Sequence, residues 1–269
     1  MRRTKRSRAP WQSAAARRLL TIAGNPLTVK EAVRIIGGRF LENVECPPTN
    51  LEAVQNRLNV KRIETEDLPF SGELRRGQDG FTIALSKHLS PSRRRFTVAH
   101  ELGHAILETT GPRCPRFGSE LERLCDMLAT EILMPYSLFR TLAQKPLSIS
   151  KVWELSRVFG TSLSATALRG AELMGCSAFE VDGDTVSWGY GIVRKGRLTD
   201  LDQDLQSAVR KAECSGTGEA QVYVWNQKWQ GDCTLEWARP RGGSRTLFLL
   251  QPVWQARQST DTIREIGPA

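Results

Sequence analysis

The sequence predicts an α+β protein in which helices dominate as far as Gly175 and strands dominate after it. Two observations predict this. Helix-opening signals recur from Thr28 to Ser162, with apolar residues at three- and four-residue spacing behind several of them. From Cys176 onward, short apolar runs of strand character replace them, and five of the seven tryptophans fall between 188 and 254. At 269 residues, 40% hydrophobic and 25% charged, the chain can support one sizeable core or two or three small ones.

The elements follow in order. Residues 1–25 read as a basic, disordered tail: positions 1–30 hold eight cations and no acid. Removing those eight from the net charge of +9 leaves only +1 on the other 239 residues, so the high charge belongs to the tail and is weak evidence for nucleic-acid binding. An acid-free, Arg/Ser/Ala-rich start also fits attraction to an acidic partner or an organelle transit peptide. Thr28-x-x-Glu31 is a capping box that opens a short helix, which Gly37-Gly38 is expected to end. Asn50 opens a second helix with Leu51, Val54 and Leu58 on one face. Phe70–Arg75 and Phe81–Leu85 flank a Gly-containing turn and predict a β-hairpin.

Ser90-Pro91 is an N-cap followed by proline at the first helical position, predicting a helix over about 91–108. Gly111-Pro112 breaks the chain, and Ser119-x-x-Glu122 opens a helix that stops near Met134-Pro135. Pro146–Gly175 predicts two helices around Gly160-Thr161-Ser162, a helix-turn-helix spacing. Val186–Val193, Gln221–Trp225, Thr234–Trp237 and Thr246–Leu250 read as strands, with a helix at about 200–213 after the first, and 258–269 as a tail.

No apolar run approaches the roughly 18–20 residues that span a bilayer, and Leu19–Gly24 is too short for the apolar core of a secretory signal. The six cysteines show no C-x-x-C spacing. Reduced thiols, a cytoplasmic location and no membrane partner are therefore expected.

Two of the three histidines, His100 and His104, sit four residues apart with Glu101 directly after the first. On a helix, i and i+4 share a face about 5–6 Å apart, so both imidazoles can reach one metal ion. Glu101 is rotated by about 100°, which suits a base acting on water beside that metal. Phe96, Val98, Ala99, Leu102, Ala105, Ile106 and Leu107 make this a mostly buried helix. Gly103 costs about 1 kcal/mol inside a helix, which points to close approach of another backbone or a ligand.

A hydrolytic zinc site needs a third protein ligand and an open position. Glu122, 18 residues beyond His104, is the best candidate, and Asp126, one turn on, can accept a ligand histidine's N–H. Spacing alone leaves Glu122 equally able to close the Ser119 capping box, while Glu120 falls on the opposite side.

Arg93-Arg94-Arg95-Phe96-Thr97-Val98-Ala99-His100-Glu101-Leu102-Gly103-His104, together with Glu122-Arg123-Leu124-Cys125-Asp126-Met127-Leu128-Ala129-Thr130-Glu131-Ile132-Leu133-Met134-Pro135, resembles the ImmA/IrrE family of metallo-endopeptidases. The resemblance is strong over 90–140 and general in layout over 28–90. Cys125, Asp126 and Leu128 depart from the family's common alanine, asparagine and phenylalanine, and none of these removes a ligand.

The resemblance implies a zincin-like metallopeptidase domain over 26–142, a helix-turn-helix-like segment over 143–175 and an α+β, GAF-like domain over 176–257. It implies Zn2+ held by His100, His104 and Glu122, with Glu101 as catalytic base. The implied function is a regulatory endopeptidase whose protein substrate is a helix-turn-helix repressor controlling stress response or mobile elements. The Phe81–Leu85 strand is expected to hold extended substrate, and His88, Tyr136 or one of Arg93, Arg94 and Arg95 to stabilise the oxyanion. The alternative is a DNA-binding regulator or protein-interaction module with a structural, non-catalytic metal. Its DNA-binding form is thinly supported, because Ser162–Leu173 offers Arg169 as its single cation.

Overall fold

Side-chain caps start four helices, those after Thr28, Asn50 and Ser162 where the sequence places them and that after Ser148 two residues beyond Pro146. Thr28, Asn50, Ser148 and Ser162 accept hydrogen bonds from the backbone N–H groups of Glu31, Ala53, Lys151 and Ala165. The computed structural model describes residues 11, 13–109, 118–212, 216–226, 229–240 and 243–253. Two units divide the chain, Met1–Gly175 and Cys176–Ala269.

The first unit begins with α1 (Ala14–Ile22), α2 (Val29–Leu41) and α3 (Leu51–Arg57), then β1 (Val60–Glu66), β2 (Gly72–Arg76) and β3 (Phe81–Ser86). It continues with α4 (Pro91–Thr109), α5 (Ser119–Leu133), α6 (Tyr136–Leu142), α7 (Ile149–Phe159) and α8 (Leu163–Met174). The three strands lie in the order β1-β3-β2, β3 running parallel to β1 and antiparallel to β2. α4 packs on α5 and against the β2–β3 side of the sheet, and α5 also packs on α2. Leu102, Ile106 and Leu107 of α4, Ile36 of α2 and Ile83 and Leu85 of β3 are fully buried. At roughly 1.5–3 kcal/mol for each such side chain, this apolar layer fixes how the elements stack.

Several expectations are corrected. The disordered tail over 1–25 is too long: Ala14–Ile22 is helical and buries Ala15, Ala16 and Leu19, while residues 1–10 lie outside the described residues. α2 does not end at Gly37-Gly38 but runs through them to Leu41. A Cβ on Gly37 would sit 2.7 Å from Cγ of Glu131, so that glycine admits a neighbouring helix's side chain. Ser119 is inside α5, whose N-cap is Gly118, so Glu122 closes no capping box with Ser119. β3 is the central strand rather than a free edge, because β1 occupies its other side.

In the second unit, β4 (Ser177–Asp182), β5 (Thr185–Tyr190) and the two-residue β6 (Gly196–Arg197) precede a 3-10 turn at Leu198–Asp200 and α9 (Gln203–Ala212). β7 (Thr217–Asn226), β8 (Trp229–Ala238) and β9 (Arg245–Pro252) complete one six-stranded sheet, ordered β6-β5-β4-β9-β8-β7, with every neighbouring pair antiparallel. Leu205 and Val209 of α9 share a core with Phe179, Val222, Leu235 and Phe248. Phe179 and Phe248 stack with ring centroids 4.9 Å apart. The sheet and α9 make this unit mixed helix and strand. Among the described residues no helix is long and apolar enough to cross a membrane.

Candidate metal centre

α4 and α5 build the site because they can touch at the backbone. A Cβ on Gly103 would lie 3.1 Å from Cα of Cys125 and 3.2 Å from its carbonyl oxygen. The expected close approach at Gly103 is thus an approach to α5, and it brings the Glu122–Asp126 turn beside the histidines.

The His100 and His104 rings stand edge to face with centroids 5.0 Å apart. Nε2 of His100 lies 3.2 Å from Oε2 of Glu122, and Nε2 of His104 lies 3.7 Å from Oε1 of the same carboxylate. One ligand atom from each of His100, His104 and Glu122 falls within 4.8 Å of the other two. Nδ1 of His100 lies 2.9 Å from Oδ1 of Asp126. An ionised carboxylate only accepts, so this contact places the proton on Nδ1 and leaves Nε2 to offer a lone pair to a metal. Two imidazole nitrogens and one carboxylate form a donor set suited to a divalent transition metal with a position left open.

The electrostatics match the geometry. Burial pushes the His100 imidazole down, but the Asp126 hydrogen bond and the charges of Glu101, Asp126 and Glu122 outweigh it and hold the group above its ordinary value. Burial, joined by the charge of His100, pushes His104 down, towards the neutral form that ligates metal. Glu101 is 5% exposed, and burial raises its carboxyl to about 7. His100 and a backbone hydrogen bond from Leu74 of β2 act against that rise, and the charges of Glu122 and Glu73 add to it.

The oxyanion candidates are engaged elsewhere. His88 faces Asp67 at 3.3 Å, Arg93 donates to Ser71 at 3.2 Å, Arg94 to Thr65 at 3.2 Å and Arg95 to the Thr49 carbonyl at 2.6 Å. Tyr136 accepts from Arg140 at 2.7 Å, and Arg34 stacks on its ring at 3.6 Å. Among the described residues none of the five hydrogen-bonds to His100, His104 or Glu122. Sequence reasoning placed a strand at Phe70–Arg75 but gave it no part in the site, where the Leu74 backbone of β2 meets Glu101. The available signal was Gly72, where a Cβ would come 2.7 Å from Cγ2 of Thr97 on α4.

Arg169 of α8 is also absent from any exposed surface. It is 6% exposed, ion-paired with Glu131 of α5 at 2.5 Å, and Nη2 donates to the Met134 carbonyl at 2.9 Å.

The fold and the site together define an α+β protein with a His-His-Glu cluster suited to a divalent metal. Residues 55–169 match the family model of the IrrE N-terminal-like domain, Peptidase_M78, so the chain carries that domain, as its ImmA/IrrE resemblance implies. The matched stretch begins in α3 and ends in α8, spanning every residue of the metal cluster. Among solved structures, a Mycobacterium tuberculosis transcriptional regulator is similar with a TM-score of 0.55 over 88% of this chain and 79% of that one. At 13% identity this likeness speaks to the fold alone. No curated protein matches the chain.

Proposed function

We propose that this protein is a zinc-dependent endopeptidase with a regulatory role. The observation that carries the reading is the convergence of His100, His104 and Glu122 within 4.8 Å, beside the buried carboxyl of Glu101. A zinc ion bound there supplies Lewis acidity to a scissile carbonyl and to water. His100, His104 and Glu122 hold it, and Asp126 fixes the ring of His100. The Glu101 carboxylate takes a proton from the attacking water and returns it to the leaving amine nitrogen. Burial raises that carboxyl in the metal-free protein, and a divalent cation beside it would draw it back towards the carboxylate that accepts the proton. β2 is the sheet's edge strand beside α4, so its main chain replaces Phe81–Leu85 as the strand that pairs with an extended substrate.

The family resemblance supports a helix-turn-helix repressor as substrate, and the similarity to a transcriptional regulator supports a regulatory setting. The single antiparallel sheet with α9 supports a GAF-like, sensory reading of the second unit. A cytoplasmic location fits such a substrate. The DNA-reading alternative loses its main contact, because Arg169 is buried against Glu131. The test compares protein N-termini in cells expressing the natural chain or Glu101→Gln, with zinc content measured in both. A cleavage present only with the natural chain, at equal zinc content, supports the proposal. Identical N-termini under every inducing stress would sink it.

A further inference from the structure

The ligand-bearing turn of α5 has weak local support. Its N-cap, Gly118, has φ 155° and provides no side-chain hydrogen bond. First-turn N–H groups lack helical partners, and a glycine N-cap offers them no side-chain acceptor. Glu122 lies in the fourth position of this helix, where its N–H bonds to the Gly118 carbonyl at 3.1 Å. Its side chain is 49% exposed, so surrounding packing restrains it little.

Support comes instead from the start of the chain. The backbone N–H of Ser13 donates to Oε2 of Glu120 at 2.9 Å. The guanidinium of Arg123 lies 4.4 Å from the ring centroid of Trp11. These two contacts fall on either side of Glu122 in sequence. Behind them, α1 packs on α2 and α5 through buried Ala15, Ala16 and Leu19, and Arg39 of α2 holds its far end by donating to the Ile22 carbonyl at 2.8 Å.

We propose that Trp11 together with Ser13–Ile22 is a clamp for the metal centre: its docking on Glu120 and Arg123 holds the Glu122 turn in ligating position, so docking and metal binding are coupled. Trp11, Ser13, Glu120 and Arg123 are positioning residues that act through Glu122. This rests on the metal-binding half of the proposed function and not on peptide cleavage. Coupling between two binding events is reciprocal. Zinc must therefore tighten the clamp by the same factor by which the clamp tightens zinc.

The experiment titrates zinc alone into the full chain against a chromogenic chelator, and follows amide exchange over residues 13–22 with and without zinc. Trp11→Ala combined with Glu120→Ala is expected to weaken zinc binding about tenfold, which is about 1.4 kcal/mol. Glu120→Gln keeps an acceptor for Ser13 and is expected to recover part of that loss. In the unaltered chain zinc is expected to slow exchange over 13–22, a measurement independent of whether any variant folds. Zinc affinity unchanged in the double variant, with Glu122→Ala still weakening it, overturns the clamp and leaves the metal site standing. So does zinc-independent exchange over 13–22. If Glu122→Ala also leaves affinity unchanged, the metal reading and the clamp fall together.

Discussion

Gly103 and Cys125 meet backbone to backbone: any side chain at position 103 would bring its Cβ within 3.1 Å of Cα of Cys125. Neither helix can yield easily, because Leu102 and Ile106 on one and Leu124 and Leu128 on the other are fully buried. Gly103→Ala should therefore destabilise the protein by about 1–3 kcal/mol, despite the roughly 1 kcal/mol gain in helix propensity. It should also weaken zinc binding by moving Glu122 from the histidines. Urea melts and chelator competition check the two effects separately, and a stabilised variant with unchanged zinc affinity would contradict the packing argument.

Asp126 meets the metal cluster through Nδ1 of His100. Asp126→Ala should lower zinc affinity about 10- to 100-fold without unfolding the chain, and Asp126→Asn, which still offers an acceptor, should lose less. Zinc titration of both variants checks the order.

The raised carboxyl of Glu101 has a definite sign. A group whose folded value lies above its unfolded value binds more protons when folded, so stability declines as pH rises between the two. For Glu101 that window runs from about 4.5 to about 7 in metal-free protein. Glu101→Gln removes this dependence. Its advantage over the natural chain should be absent near pH 4 and approach about 3 kcal/mol by pH 8. Denaturant melts in chelator across that range measure the difference, and parallel pH profiles for the two proteins would refute it.

Arg169 and Glu131 are each about 6% exposed at their side chains. Arg169→Met strands the Glu131 carboxylate and should cost about 3–5 kcal/mol. Adding Glu131→Leu removes the stranded charge and should return part of the loss. A double-mutant cycle on thermal or urea unfolding measures the coupling, and strictly additive losses would count against a buried pair.

A buried cysteine of the second unit offers a chemical check. Burial, with the charge of Asp232 adding, pushes the Cys233 thiol up to about 12. Its side chain is fully buried, so at pH 8 a thiol reagent should modify Cys233 only as fast as the unit unfolds.

The metal cluster was readable because its signals are local. His100 and His104 need only helical spacing, and Gly103 announces a close neighbour without naming it. On spacing alone Glu122 stood level with a capping-box role; the family resemblance favoured the ligand, and the structure puts the cap at Gly118. α1 escaped notice because the cations around it hid the apolar stripe of Ala15, Ala16 and Leu19. β1 carries Lys61, Arg62, Glu64 and Glu66 among seven residues, and its burial does not alternate. Without β1, β3 passed for an edge. β4 was hidden for the opposite reason: five of its six residues are buried, so neither face shows a polar alternation. α6 begins directly after Pro135, a residue read only as the end of the helix before it.

The burial of Arg169 has a consequence for how such proteins are assembled from parts. A helical pair with helix-turn-helix spacing invites treatment as a portable cassette. Here its guanidinium satisfies Glu131 of α5 and the carbonyl of Met134, the residue that caps α5, so neither segment is chemically complete without the other. A recombination joint placed between α5 and α8 would strand a carboxylate in one product and a guanidinium in the other. The smallest segment that can be inherited or transplanted intact therefore carries both the metal cluster and α8.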